Sequence, residues 1–537
     1  MANNNQESLS SALMQENRSY TTNANLTKNS LTSGAVTVIS RITGFLRDML
    51  TANLFGATVG YDAFILAFRI PNLMRRLFAE GAFSQAFVPI LAEYTEQKTS
   101  SEIKLFIAKI AGNLTLILLI ITTLGIFSAP LLIKLFAPGF NTEALGTNEK
   151  LVTASLMLKI VFPYIFFISL TALSAGILNC YHKFIAPAFT PVLLNLSLIL
   201  CSLFLSNKIK PAELSLAIGV LIAGILQLGF QLPFLAKLNL LPKLKIDWQD
   251  PGVKRILLLM IPAILGAGIS QINILIDSIF ASFLTTGSIT WLYYADRLME
   301  FPLGVFGVSF ATVILPQLSR SFANKHGSQF NEILSWGVKS ALLVGLPSSI
   351  ILFLLAKPIV SSLFFTGKFK DYDVIMSSKS LMAYAFAVVG IMLAKIFSSA
   401  FYAIGDLKTP LKIGGVILIS NIILNSILTT YLGHVGIALA TSIISILHAF
   451  MLYIGLSRKG IKLLKLKLFY LRLLISCLIL TGFILIYLPL DSSWLEWKIA
   501  YKIFKLSEIL FLGLIIYMGT LWFCGFKLKN ILVSGDY

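Results

Sequence analysis

The sequence predicts an all-α integral membrane protein of about fourteen transmembrane helices. Three observations carry that prediction. Of the 537 residues, 57% are hydrophobic and only 12% charged, where an ordinary soluble domain carries about 25% charged residues. Apolar runs of about 20 residues, the length that crosses a bilayer, recur along the chain. Lysines and arginines gather in alternate connections between those runs.

In order, the expected helices lie near 32–55, 60–92, 103–137, 151–180, 184–205, 213–236, 254–284, 289–320, 331–365, 373–403, 410–431, 435–456, 469–488 and 507–526. Pro71, Pro130, Pro163, Pro302 and Pro358 interrupt several of them, which predicts kinks or breaks. Residues 1–31 are polar and rich in Asn, Ser and Thr, without an apolar core, and read as a disordered cytoplasmic tail. The connections after even-numbered helices hold Lys237, Lys243, Lys245, Lys254, Arg255, Arg320, Lys325, Lys408, Lys412, Arg458, Lys459, Lys462, Lys465 and Lys467. The opposite connections hold fewer: Lys150, Lys208, Lys210, Lys368, Lys370 and Lys498. Both termini are therefore expected inside, with 527–537 a second cytoplasmic tail. The net charge of +19 has no basic domain behind it, which argues against nucleic-acid binding.

An internal repeat is legible. AFSQAFVPILAEY resembles SFATVILPQLSRSF, aligning Pro89 with Pro316, and LNCYHKFIAPAF loosely matches FYAIGDLKTPLK at nearly the same offset. Six helices separate the copies, so both enter from the same side, as in a parallel pseudo-repeat. This predicts an N-terminal six-helix lobe (32–236), a cytoplasmic linker (237–253) and a C-terminal six-helix lobe (254–456) around a central cavity. Residues 457–526 hold a basic interfacial segment and two further helices. KGIKLLKLKLFYLR, within it, suits anionic inner-leaflet lipid, and Trp494 and Trp497 suit an aromatic belt at the outer interface.

The expected helices carry charges that an apolar layer does not tolerate. Arg41, Arg47, Asp48, Asp62, Arg69, Arg75, Arg76 and Glu80 all lie between 40 and 94. At roughly 2.5–3.5 kcal/mol per arginine, five facing lipid cost on the order of 12–17 kcal/mol. They must face water, one another or a ligand. Helical spacing puts Arg41, Gly44 and Asp48 on one face, and Asp62, Arg69, Arg76 and Glu80 on another. Asp296, Arg297 and Glu300 cluster before Pro302. Some of these are ion pairs that lock helices, such as Asp48 with Arg41 or Glu300 with Arg297. The excess of arginine, suited to bidentate contact with phosphate, points to a phosphate- or carboxylate-bearing substrate. Asp277 pairs with a lysine or holds a coupling cation. Lys159 and Lys395, in corresponding helices, snorkel or line the cavity. Asn421 and Asn425 are expected to bond between helices.

The stretches SRITGFLRD, YDAFILAFRIPNLMRRLFAEGAFSQAFVPIL, FPYIFFISL and ASFLTTGSITWLYYADRLMEFPLGVFGVSFATVILPQLSRSF resemble the MurJ/MviN family of bacterial lipid II flippases. The resemblance runs across nearly the whole chain after the polar tail. It implies a fold of the multidrug/oligosaccharidyl-lipid/polysaccharide transporter type, with a cationic cavity and a lipid-tail groove on the last two helices. It implies a transporter, not an enzyme, in the bacterial inner membrane, moving an undecaprenyl-pyrophosphate-linked peptidoglycan precursor between leaflets for cell wall synthesis. It places substrate contacts on Arg41, Arg47, Arg69, Asn72, Arg75, Arg76 and Arg297. Gating acids fall on Asp48, Asp62, Glu80, Asp296 and Glu300, and Asp277 resembles a cation-ligand position. Arg69 stands where some relatives have lysine.

Rival readings are an O-antigen-type lipid-linked oligosaccharide flippase, a cation-coupled multidrug exporter and a non-transporting scaffold. A drug exporter wants an acidic or aromatic cavity, whereas this one counts basic. No GxxxxGK[ST] segment is present, so the drive is expected from a coupling cation (Na+ or H+) or the membrane potential. Membrane lipids and the wall-synthesis machinery are the expected partners of a monomer.

Overall fold

The computed structural model describes residues 34, 36–76, 83–141, 149–304, 308–324, 327–464, 467–489 and 493–526. The expected tails 1–31 and 527–537 lie outside the described residues, and so do Glu80, Lys325 and Lys465. Among the described residues the chain is helical apart from short connections, with no strand. Helix α1 covers 36–55. It is followed by α2 (Val59–Met74), α3 (Ser84–Gln97), α4 (Ser100–Phe127), α5 (Ala129–Phe136), α6 (Glu149–Val161) and α7 (Tyr164–Cys180). Then come α8 (Ile185–Leu205), α9 (Leu214–Lys237), α10 (Pro251–Ser282), α11 (Ser288–Pro302), α12 (Val308–Ala323) and α13 (Gly327–Leu354). The remainder are α14 (Ala356–Phe364), α15 (Asp371–Ala385), α16 (Ala387–Ala403), α17 (Lys408–Leu432), α18 (His434–Arg458), α19 (Lys467–Tyr487), the one-turn α20 (Ser493–Glu496) and α21 (Ile499–Phe523).

Ten stretches among the described residues are long and apolar enough to cross a membrane, each matching an expected span. The other four expected spans, 32–55, 60–92, 254–284 and 289–320, carry most of the charges discussed above or are broken. Several breaks fall at proline. Pro130 is the second residue of α5, Pro163 precedes α7, and Pro358 is the third residue of α14. A helix start leaves its first N–H groups unbonded, so proline costs little there.

The repeated segments are built alike. The helix containing Asp62 loosens into a wide turn at 75–76 and the helix containing Arg297 does so at 303–304. These two turns are separated by nearly the same interval as Pro89 and Pro316. The α7–α8 and α16–α17 connections are four residues each, with a left-handed second residue, His182 (φ 57°) and Gly405 (φ 75°). In both, a proline (Pro187, Pro410) stands third in the following helix.

The chain divides into two compact units. The first comprises the described part of Met1–Leu50 with Ala67–Ala129 and Leu156–Ala267; the second comprises Thr51–Leu66, Pro130–Ser155 and the described part of Gly268–Tyr537. This division assigns 51–66 and 130–155 to the second unit, so it differs from the lobe limits read from the repeat.

The first unit is centred on Phe87, Phe106, Ile107, Leu173, Ile177 and Leu235, contributed by α3, α4, α7 and α9. The linker that follows α9 is laid along α4. Lys245 N–H donates to Ala108 O (3.1 Å). The Asn113 amide donates to Asp247 O (2.8 Å) and accepts from Asp247 N–H (3.0 Å). Lys109 Nζ lies 2.8 Å from Asp247 and 2.7 Å from Asp250. Gly112 makes this approach possible, because a Cβ there would stand 2.3 Å from Lys245 O.

In the second unit, the Asp406 carboxylate accepts from Thr409 N–H (3.0 Å) and Thr409 Oγ1 (2.6 Å) and pairs with Lys459 (2.9 Å). These contacts hold it well below the usual carboxylate range, the Thr409 hydroxyl contributing most. Tyr517 donates to Leu343 O (2.7 Å), fastening α21 to α13, and the Tyr487 hydroxyl donates to Glu508, joining α19 to α21. Trp494 is fully buried and packs 5.3 Å from Trp497. Its indole is therefore a protein contact and not the interfacial anchor expected of it.

The Lys109 pin makes a direct prediction. Asp247 is held below the ordinary carboxylate range chiefly by its hydrogen bond from Lys109. A carboxylate lowered on folding contributes stability that is complete above its unfolded value near 4 and fades as pH falls through the folded one. In Lys109→Met, amide hydrogen exchange over 243–250 is expected to quicken by about tenfold or more. In the parent, exchange corrected for its intrinsic pH dependence should stay constant from about pH 8 to about 5. Unchanged exchange in the variant would show that other contacts hold the linker.

Candidate substrate-binding site

The expected site residues are divided between the two units. In the first, α1 carries Arg41 exposed and Arg47 and Asp48 buried. One partner of Asp48 is its own neighbour. Arg47 donates from Nε (3.0 Å) and Nη2 (2.6 Å) to Asp48 Oδ1, and from Nη1 to Asn195 Oδ1 of α8 (3.0 Å). Asn195 in turn donates to Ser40 O (3.0 Å) and Thr43 Oγ1 (3.2 Å), so α8 indexes α1 over a full turn. Gly44 leaves room for it, since a Cβ there would stand 3.3 Å from the Asn195 amide nitrogen. The spacing argument offered Arg41 for Asp48 and did not consider that a long guanidinium arm can fold sideways onto the next residue.

On the C-terminal half of α2 and in the turn after it, Arg69, Asn72, Arg75 and Arg76 are all half-buried. Asn72 Oδ1 accepts from Arg75 at both Nε (3.1 Å) and Nη2 (2.8 Å). This fixes the plane of the guanidinium with a neutral partner, leaving its charge uncompensated by that contact. Asn72 thus orients Arg75.

In the second unit, Arg297 on α11 lies 3.2 Å from Glu300 and stacks 5.2 Å over the Tyr293 ring. Both members of this pair are more than a third exposed (37% and 44%), so solvent screens the attraction. Lys395 of α16, itself exposed, is near enough to Glu300 for their charges to interact. Asp296 is half-buried beside them.

Asp62 is bound differently from the expectation. Its buried carboxylate makes no pair with an arginine among the described residues. It accepts from Gly287 N–H (2.7 Å), Thr290 N–H (2.9 Å) and Thr290 Oγ1 (2.6 Å), capping the N-terminus of α11 from α2. Gly287 (φ 94°) supplies the left-handed backbone that turns its N–H toward the carboxylate. The charge suits the positive end of the helix dipole. Stacking of Tyr61 on Tyr294 (6.0 Å) and hydrogen bonds joining Tyr61, Thr51 and Tyr294 surround this clasp.

Asp277 lies among amides. Asn425 and Asn421 of α17 donate to its Oδ1 at 2.7 and 3.2 Å, Asn421 also donates to Asn273 Oδ1 (3.0 Å), and Asn425 donates to Asn421 Oδ1 (3.0 Å). The expected interhelical bonds of Asn421 and Asn425 are therefore present. Asn425 is fully buried, yet its Oδ1 receives no hydrogen bond. This amide oxygen thus stands without a donor beside one carboxylate and two further amides. The sequence had offered these residue types without their meeting point; asparagines four apart on an apolar helix were the available signal.

The comparisons with known proteins agree with one another. A family model described as "Lipid II flippase MurJ" matches residues 51–504. The probable lipid II flippase MurJ of Vibrio cholerae serotype O1 is 43% identical over 516 residues, covering 95% of this chain and 98% of its own. The lipid II flippase MurJ of Burkholderia cenocepacia is 37% identical over 512 residues, covering 94% and 98%. A solved structure titled "Lipid II flippase MurJ, inward closed conformation" superposes with a TM-score of 0.76 at 30% identity, covering 91% of this chain and 97% of that one. An inward-facing multidrug resistance MATE family transporter of the MOP superfamily superposes with a TM-score of 0.64 at 14% identity, over 80% of this chain and 98% of that one, a likeness of fold alone. Matched along nearly all its length by family model, sequence and structure, the chain belongs to the MurJ family of lipid II flippases.

Proposed function

We propose that this multi-pass protein of the bacterial inner membrane is a transporter that moves the lipid-linked peptidoglycan precursor from the inner to the outer leaflet. The observation that carries the reading is the set of guanidinium groups on otherwise apolar helices, several of them held by neutral or exchangeable partners. Arg75 rests on an amide, and Arg297 on a screened carboxylate and a ring. A pyrophosphate, which guanidinium binds bidentately, can take the place of partners of this kind.

In this reading Arg41, Arg69, Arg75, Arg76 and Arg297 receive the pyrophosphate, and Glu300 yields Arg297 to it. Arg47 exchanges Asp48 and Asn195 for substrate during the cycle. Asp62 acts as a clasp whose release from α11 accompanies a change of access. Asp296 and Glu80 complete the acidic set. The sugars and peptide cross beside these residues, while the polyprenyl tail stays in lipid along α19 and α21. Both termini face the cytoplasm, and the protein works as a monomer alongside the wall-synthesis machinery. Asp277, Asn421 and Asn425 would hold a coupling cation, whose presence neutralises the carboxylate. The membrane potential is the other drive, worth about 2.3 kcal/mol per charge at 100 mV.

Two tests follow. Arg297→Ala and Arg41→Ala are expected to lower precursor translocation by about tenfold to a hundredfold, the loss of a charged hydrogen bond, while the protein still folds and inserts. Arg297→Lys should retain part of the activity. Normal growth of a flippase-depleted cell carrying either alanine variant would remove the gripping role. For the cation, sodium should raise the melting temperature of the purified protein by about 1–3 °C, with no such rise in Asp277→Asn. A parent protein indifferent to sodium, tested also across pH for a proton, would leave the potential as the drive.

A further inference from the structure

The second unit carries a groove that no expected substrate residue lines. It has a volume of about 520 Å³ and lies among α13, α15 and the hairpin that joins α17 to α18. It is shallow and widely open to its surroundings. Phe353, Met382, Phe386 and Leu439 make its walls apolar, and Tyr431 stands at the hairpin. One charged side chain enters the lining, Lys379. It is exposed and makes no ion pair among the described residues.

The groove's position along the helices is informative. Phe353 is next to last in α13, Lys379 stands eight residues into α15, about 12 Å along its axis, and the α17–α18 hairpin turns on the single residue Gly433 (φ 57°). The end of α13 and the α17–α18 hairpin therefore meet at the groove, beside a point about 12 Å inside α15, and spans end where the apolar layer gives way to headgroups. An ammonium at that depth, without a protein counter-charge, is expensive unless a ligand supplies one.

We propose that this groove holds one acyl chain of an anionic glycerophospholipid, with its phosphate on Lys379. The charges match singly: a phosphodiester is a monoanion and the groove offers one ammonium. A polyprenyl pyrophosphate carries more negative charge than one lysine balances, and its tail is long for a groove of this size. A zwitterionic lipid fills the walls but adds its own ammonium beside Lys379.

The test uses the full chain carrying benzoylphenylalanine in place of Phe386, in nanodiscs of equal phosphatidylglycerol and phosphatidylcholine. After irradiation, captured lipid is read by mass spectrometry. Capture is expected to favour phosphatidylglycerol by about fivefold, the preference one lysine near a membrane surface supplies. Lys379→Gln should bring the ratio near unity while total capture continues, and Lys379→Arg should keep the preference. Equal capture with Lys379 in place, or a preference that survives Lys379→Gln, would overturn the proposal. So would capture of added undecaprenyl pyrophosphate in preference to phosphatidylglycerol.

Discussion

Placing an ionised side chain on a helix meant for a hydrocarbon layer costs several kcal/mol unless something else solvates it. Each charge in this protein answers that demand in its own way. Arg47 is met by a carboxylate and an amide, Arg75 by a neighbouring amide, and Arg297 by a carboxylate and a ring face. Asp62 is met by the free N–H groups of a helix start. The partners range from a full counter-charge to a bare dipole. Arg47 and Asp62 are buried, whereas Arg41 is exposed and Arg297 half-buried.

The helical scaffold supports this by where it is interrupted. A continuous helix has no exposed N–H groups along its length, so a carboxylate such as Asp62 can be solvated by backbone only where a helix begins. α11 begins at Ser288, behind the left-handed Gly287. Prolines set other starts at little cost, and the repeated segments place equivalent turns at equivalent positions. The same grammar, applied twice, yields different chemistry because the two copies differ in the few residues that stand at the interruptions.

Much of this was legible in the sequence. Composition and periodicity gave the helical membrane class and all ten of the long apolar spans, and prolines marked several breaks. The charged residues stood out because they violate the pattern. Their partners were not legible, since pairing depends on which helices meet. Asp62 and Thr290 are separated by more than two hundred residues, and nothing local announces that one caps the other. A helix beginning with TTGSIT, without an acidic residue of its own, was the nearest thing to a signal. Asp277 and Asn425 were each noticed, but not their meeting. Trp494 was assigned to an interface by residue type, while packing buries it. Lys379 carries no signal in the sequence, and only the surrounding walls mark it out.

Surface connections usually accept added residues at little thermodynamic expense, because loop entropy grows slowly with length. The stretch joining α9 to α10 has given up that freedom. It is registered against α4 at Lys245, Asp247 and Asp250, and the gap it occupies exists because Gly112 has no side chain. One extra residue between Lys245 and Asp250 would displace either the backbone pairing with Asn113 or the second carboxylate from Lys109. What reads in the sequence as a flexible tether is a ruler of fixed length, and variation in this part of the chain should take the form of exchanged residues and not of insertions.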